Sequence, residues 1–170
     1  SIWWHEKFRT GPRRWLQIIG IFYRTKKCVY KNMSINKFNS QNAPEPVGSY
    51  PHARQVGNLL FLSGVGPRER GNKEIPGVTL DEKGKIISYD IEAQCHSVFS
   101  NVKAILEDSG SGWDKLVDVT VFLTNMKDDF PAYNRIYAEY FKDNQPCRTT
   151  VEITSLPTPI AIELKCIATI

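Results

Sequence analysis

The sequence predicts an α+β domain of order ββαβαββ, with two helices laid on one face of a mixed sheet. Three observations predict it. Ile91, Cys95, Val98, Val102 and Ile105 step by 4, 3, 4 and 3, which keeps them on one face of an α-helix. Residues 115–124 (KLVDVTVFLT) and 160–168 (IAIELKCIA) alternate in the manner of half-buried strands. Residues 52–57 and 59–64 are short β-capable runs that meet at Gly57-Asn58, a hairpin signal.

Taken in order, residues 34–46 (SINKFNSQNAPEP) are polar and Pro-containing, so an extended lead-in is expected. The hairpin follows. Residues 65–89 are rich in Gly, Pro and charge and read as a long surface connection, with a turn at Asp81-Glu82-Lys83-Gly84. The first helix should run over 91–109, started by Asp90 and ended by Gly110. After the strand at 115–124, Asp128 and Asp129 open a second helix with Pro131 in its first turn. Its stripe of Phe130, Tyr133, Tyr137 and Tyr140 or Phe141 is read as packing against the sheet rather than as a binding feature. Two strands close the chain, at 148–153 and 160–168. In the last one Ile160, Ile162, Leu164 and Cys166 should face the helices, leaving Ala161, Glu163, Lys165 and Ile167 on the open face.

Composition bounds the function. With 170 residues, 41% hydrophobic and 24% charged, the chain has an ordinary globular composition, and no apolar run is long enough to span a membrane. The formal charge of +4 conceals a split. Residues 1–32 carry eight bases against one acid, whereas residues 33–170 carry 14 bases against 17 acids, a net of −3. A nucleic-acid partner is therefore disfavoured, because its basic footprint should lie on the folded domain. Of the four cysteines, Cys28, Cys95, Cys147 and Cys166, none has metal-site spacing; Cys95 and Cys166 sit in apolar patterns and read as core thiols. No metal site is expected. The basic, aromatic leader of residues 1–32 reads either as a mitochondrial presequence or as an extension foreign to the mature protein, with Met33-Ser34-Ile35 resembling an ordinary start. The expected compartment is the cytoplasm, or the mitochondrion if the leader is a presequence. Residues 33–170 form the predicted functional domain.

Two charges stand out on the closing strands. Glu163 is a carboxylate in mid-strand, open to a solvated reading or to pairing with Lys165 along the same face. Arg148 lies in Gln145-Pro146-Cys147-Arg148-Thr149-Thr150, and a guanidinium fork suits a planar carboxylate. Resemblance adds what spacing cannot. Asn42-Ala43-Pro44, Val47-Gly48-Ser49-Tyr50, Leu62-Ser63-Gly64, Pro146-Cys147-Arg148-Thr149-Thr150-Val151-Glu152, Leu156-Pro157 and Ile162-Glu163 resemble the signatures of the reactive intermediate deaminase (Rid) family over about residues 40–170. GSYPHAR, SGVGPR, EIPGVTLDEKG, DIEAQC, DVTVFLTNMKDDF and NQPCRTTVE are most similar to the branch of that family that acts on 2-aminomuconate.

The resemblance implies a chorismate-mutase-like fold and a homotrimer. Three sheets would pack by their open faces, with active sites between subunits. It implies hydrolysis of enamines or imines to ketones and ammonia without a cofactor. For this branch the reaction would convert 2-aminomuconate to 4-oxalocrotonate. It implies Arg148 as the clamp on the substrate carboxylate and Glu163 as the proton shuttle. Tyr50, Ser63 and Gly64 would close the pocket. Where many members have Cys two residues after the arginine, this chain has Thr150, which leaves a carbonyl or hydroxyl role there and excludes thiol chemistry. A diacid needs a second cation, for which Arg68 and His52 are the nearest candidates. The alternatives are a general deaminase of 2-aminoacrylate-type intermediates and a non-catalytic ligand-binding trimer.

Overall fold

The structure is a computed structural model that describes residues 35–72 and 74–170. The leader expectations, and Cys28 with them, lie outside the described residues. A six-stranded sheet runs in the order β1-β2-β3-β8-β6-β7, comprising β1 (Ile35–Phe38), β2 (Ala53–Val56), β3 (Leu59–Leu62), β6 (Leu116–Leu123), β7 (Cys147–Glu152) and β8 (Ile162–Thr169). Every pair is antiparallel except β6 with β7, so the sheet is mixed. Two helices, α1 (Ile91–Asp108) and α2 (Met126–Tyr140), contribute their apolar sides to the core on one face. The expected ββαβαββ order is that of β2, β3, α1, β6, α2, β7 and β8.

Local chemistry explains most boundaries. Gly57, at φ +63°, turns β2 into β3. The Asp90 side chain accepts from the N–H groups of Glu92 and Ala93 and starts α1, and Gly110, at φ +76°, follows its end. The predicted helical face is the buried one: Cys95, Val98, Val102 and Ile105 all lie in the core, with Phe99 and Leu106 beside them. From the sheet, Leu60, Leu62, Val119, Val121, Ile162, Leu164 and Cys166 meet them. Each such fully buried side chain contributes about 1.5–3 kcal/mol. Cys95 and Cys166 are free and buried, and burial pushes both thiols up to about 12.

Four expectations need correction. Residues 35–38 are not merely a lead-in: they pair with β2 as the edge strand β1. The 65–89 connection contains a separate hairpin, β4 (Val78–Leu80) with β5 (Ile86–Tyr89), around the expected Asp81–Gly84 turn. The second helix starts at Met126, because the Asn125 side chain caps it by accepting from the Asp128 N–H; Pro131 therefore falls in the second turn. Ala161 is buried rather than on the open face, since β8 begins one residue later and the Gln94 side chain accepts the Ala161 N–H at 2.8 Å. The aromatic stripe of α2 does pack inward at Tyr133, Tyr137 and Phe141, joined by Ile136, while Tyr140 stays exposed.

Candidate functional site

The site residues fall into two groups, on opposite faces of the sheet. The alternation of β8 puts Glu163 opposite Phe122, and Phe122 opposite Val151, on the face without helices. Arg148 stands opposite Val119, which stands opposite Cys166, on the helix face. Within one chain the two expected catalytic side chains therefore point away from each other.

The first group surrounds Glu163. An isolated bridge pairs Val65 with Leu164, which lays Gly64 directly against Glu163. A Cβ at Gly64 would come within 2.9 Å of the Glu163 carboxyl carbon and closer still to Oε1, so any side chain there would push this carboxylate aside. Glu163 lines a cleft of about 350 Å³ with Tyr50, Ser63, Gly64, Arg68 and Lys165. Burial raises its pKa above the ordinary carboxylate value, and among the described residues no cation is within ion-pair reach of it. The pairing with Lys165 is therefore not made.

The wall of this cleft is fastened from behind. Asp108, at the end of α1, accepts from the Ser40 hydroxyl, the Gln41 and Asn42 N–H groups and the Asn42 amide. Those bonds, the Ser40 one first, hold its carboxyl below the usual range. His52 is buried; its Nδ1 accepts the Ser40 N–H at 3.0 Å, which leaves Nε2 to donate to the Pro44 carbonyl at 2.8 Å. Both ring nitrogens are thus engaged by the backbone, and His52 as placed holds residues 40–44 rather than offering a donor to a carboxylate. The Ser63 hydroxyl donates to the Pro51 carbonyl at 2.6 Å. Arg68 donates to the Glu45 carbonyl at 2.7 Å, which keeps it at the cleft. Tyr50, 43% exposed, stands at the mouth.

The second group surrounds Arg148 on the edge strand β7. The guanidinium lies over the rings of Tyr137, Tyr133 and Phe130, at 4.7, 5.7 and 6.0 Å from their centroids, within cation–π range. It donates to the Asn134 side-chain oxygen at 2.9 Å. Among the described residues no carboxylate is paired with it. Thr150 lies two residues on, on the same face, and its hydroxyl is buried beside that of Tyr133, which also faces Arg148. Burial pushes the Tyr137 hydroxyl up to about 12, with the Arg148 charge acting the other way. The α2 stripe is thus both core and the seat of the arginine. Asn134 and this seat escaped the sequence reading; the i, i+3, i+4 relation of Phe130, Tyr133, Asn134 and Tyr137 is the signal that carries them.

No described helix is long and apolar enough to cross a membrane, and the described residues contain no cluster of three or more metal-ligating side chains.

Comparisons with known proteins agree with this fold. A family model described as endoribonuclease L-PSP matches residues 40–170. A RutC family protein of Pyrococcus horikoshii is 40% identical over 130 residues, covering 76% of this chain and 93% of the relative. A 2-iminobutanoate/2-iminopropanoate deaminase of Dermatophagoides farinae is 36% identical over 129 residues, covering 75% and 91%. Among solved structures, the YjgF gene product of E. coli superposes with a TM-score of 0.68 at 30% identity, covering 79% of this chain and 98% of that one.

Proposed function

Because the chain belongs to the endoribonuclease L-PSP family, which is the Rid family, we propose that it hydrolyses imine or enamine acids to 2-oxo acids and ammonia, and, on the resemblance of its sequence motifs, that 2-aminomuconate is its substrate. The observation that carries the reading is Glu163: a half-buried carboxylate, raised by burial, unpaired and facing an open cleft. A raised carboxyl exchanges protons with substrate nearer neutral pH than an ordinary one does.

The chemistry runs in three steps. The enamine first takes a proton on carbon, gives one up from nitrogen, and becomes an imine. Water then adds to the C=N carbon, with Glu163 accepting the water proton and passing it to nitrogen. The carbinolamine finally passes its hydroxyl proton to nitrogen, its C–N bond breaks as the C=O forms, and ammonia leaves with the 2-oxo diacid as the other product. Holding water and imine together contributes through proximity, up to roughly 7–11 kcal/mol in the best intramolecular cases. Arg148 clamps the carboxylate beside the reacting carbon through its fork. Thr150, on the same face as Arg148 and two residues beyond it, receives the same carboxylate or the attacking water. Tyr50, Ser63 and Gly64 close the pocket around Glu163, and Arg68 stands at its rim.

Since Arg148 and Glu163 lie on opposite faces, the working site joins the Glu163 cleft of one copy to the Arg148 seat of a neighbour, in a homotrimer. Two features support this assembly. The open face carries Phe61 and Val151, each 36% exposed, with Phe122 and Ile167 half-buried between them. Apolar surface of that kind suits burial against another sheet. The β7 edge is also exposed, and Arg148 is unpaired upon it.

The test is to incubate the full chain with 2-aminomuconate and, separately, with 2-iminopropanoate generated in situ, following ammonia release. Turnover of 2-aminomuconate is the expected result. Turnover of the small imine alone would make the chain a general deaminase, and turnover of neither with retained ligand binding would favour a binding trimer. Arg148→Ala should lower kcat/KM by about 10²-fold or more, the loss of a two-pronged charged hydrogen bond, while leaving the assembly intact by light scattering.

A further inference from the structure

The Glu163 cleft contains a cation that imine hydrolysis does not require. Lys165 lies two residues beyond Glu163 on β8, on the same face and in the same cleft wall. Strand geometry separates their Cα atoms by about 7 Å. The register neighbour of Lys165 on β6 is Thr120, which itself stands opposite Thr149 on β7, and neither is charged. Among the described residues no carboxylate is within ion-pair reach of its ammonium, and no carbonyl holds it. Arg68, the other cation of the cleft, differs in having part of its fork committed to the Glu45 carbonyl.

An acid and a base two residues apart on one face of a strand ordinarily compensate each other. Here they do not: burial is the one cause acting on the Glu163 carboxyl, with no opposing pull from the ammonium. Lys165 thus keeps three donors available towards the cleft. The surrounding domain, residues 33–170, has a net charge of −3 and gives a dianion no general attraction, so capture must come from local cations of this kind.

We infer that Lys165 holds the second carboxylate of a dicarboxylic imine and so selects diacids over monocarboxylates of the same length. The inference rests on reading the cleft as an imine-hydrolysing site, with Arg148 on the carboxylate beside the reacting carbon. It also moves the distal contact from His52, whose nitrogens are engaged, to a strand residue with a free ammonium.

A matched pair of probes tests it on the full chain. Hexa-2,4-dienedioate and hexa-2,4-dienoate share a carbon skeleton and differ by one carboxylate, and their dissociation constants are measured by calorimetry. The wild type should bind the dicarboxylate about tenfold tighter or more. Lys165→Met should abolish most of that preference, and Lys165→Arg should retain most of it. A preference that survives Lys165→Met, or one absent from the wild type, overturns the inference. Ammonia release from 2-iminopropanoate separates the two ideas. It should stay within about twofold in Lys165→Met, since that substrate has no second carboxylate. An equal loss of turnover on 2-iminopropanoate and on 2-aminomuconate would make Lys165 a general structural residue and overturn the inference. Failure of the wild type to release ammonia from any imine would overturn the hydrolytic reading, while the probe comparison still decides whether the cleft prefers diacids.

Discussion

The Glu163 cleft and the Arg148 seat belong to one sheet but are built by opposite means. The cleft is made by subtraction: Gly64 has no side chain where one would collide with Glu163, and the loops around it are tied from behind by Asp108 and His52. The seat is made by addition: three aromatic rings and Asn134 of α2 support a guanidinium on an exposed edge strand. The cleft holds a carboxylate kept protonated more readily than usual, and the seat holds a permanent cation. Among the described residues both lack a charged partner, and each offers what the other lacks. A sheet cannot bring its two faces together, so under the proposed function each half is complete only against the opposite half of another copy.

Short of removing Arg148 or Glu163 itself, the largest effect expected from breaking one half alone is at Gly64. Gly64→Ala should displace the Glu163 carboxylate and lower kcat by about 10- to 100-fold, the scale of a mispositioned proton-transfer group, with KM changing little. Steady-state kinetics beside circular dichroism check it; unchanged kcat would mean that the close approach of Gly64 to Glu163 is not part of the mechanism.

A smaller effect is expected on the other half. Asn134→Ala removes one hydrogen bond to Arg148 and leaves the aromatic seat in place. A single such bond is worth about 1 kcal/mol, so KM should rise roughly fivefold with kcat nearly constant. A fall in kcat with unchanged KM would place Asn134 in the proton chemistry rather than behind the clamp.

The smallest effect concerns stability, and its sign follows from burial. Glu163 has a raised pKa in the fold, so ionising it costs the folded chain more than the unfolded one. At acid pH both states hold the proton and the cost vanishes. It grows as pH rises from the ordinary Glu value through the raised one. Glu163→Gln removes it, so the variant should gain stability over wild type across that window and match it below. Urea unfolding at pH 4 and pH 8 measures the difference; a variant less stable than wild type at pH 8 would show that the ionised carboxylate is favourably held.

Much of this was legible in the sequence, for reasons that differ by element. The 4, 3, 4, 3 spacing of α1 and the alternation of β8 report burial directly, and those elements came out within a residue or two. The edge strand β1 and the hairpin β4–β5 bury little, so periodicity carries no trace of them. The sequence places the start of α2 too late because Pro131 suggests a first turn, whereas the Asn125 side chain caps the helix six residues before that proline. Resemblance supplied Arg148 and Glu163, and their positions on opposite faces follow from register, which pairs residues distant in sequence. Asn134 sits on the exposed side of a helix, where any polar residue is tolerated, and only the fold brings it to Arg148. Lys165 looked like the partner of Glu163, a relation that depends on side-chain direction rather than spacing.

The central claim is that one site needs two copies, and complementation between inactive variants measures it. Arg148→Ala and Glu163→Gln are each nearly inactive on this account, because each destroys one half of every site. Co-expressed in equal amounts, they assemble at random. A site formed between neighbours then receives an intact Arg148 from one chain and an intact Glu163 from the next in about a quarter of cases. Ammonia release should recover to about a quarter of the wild-type rate in the mixed assembly. A mixed assembly no more active than the single variants would contradict the account and return the chemistry to a single chain.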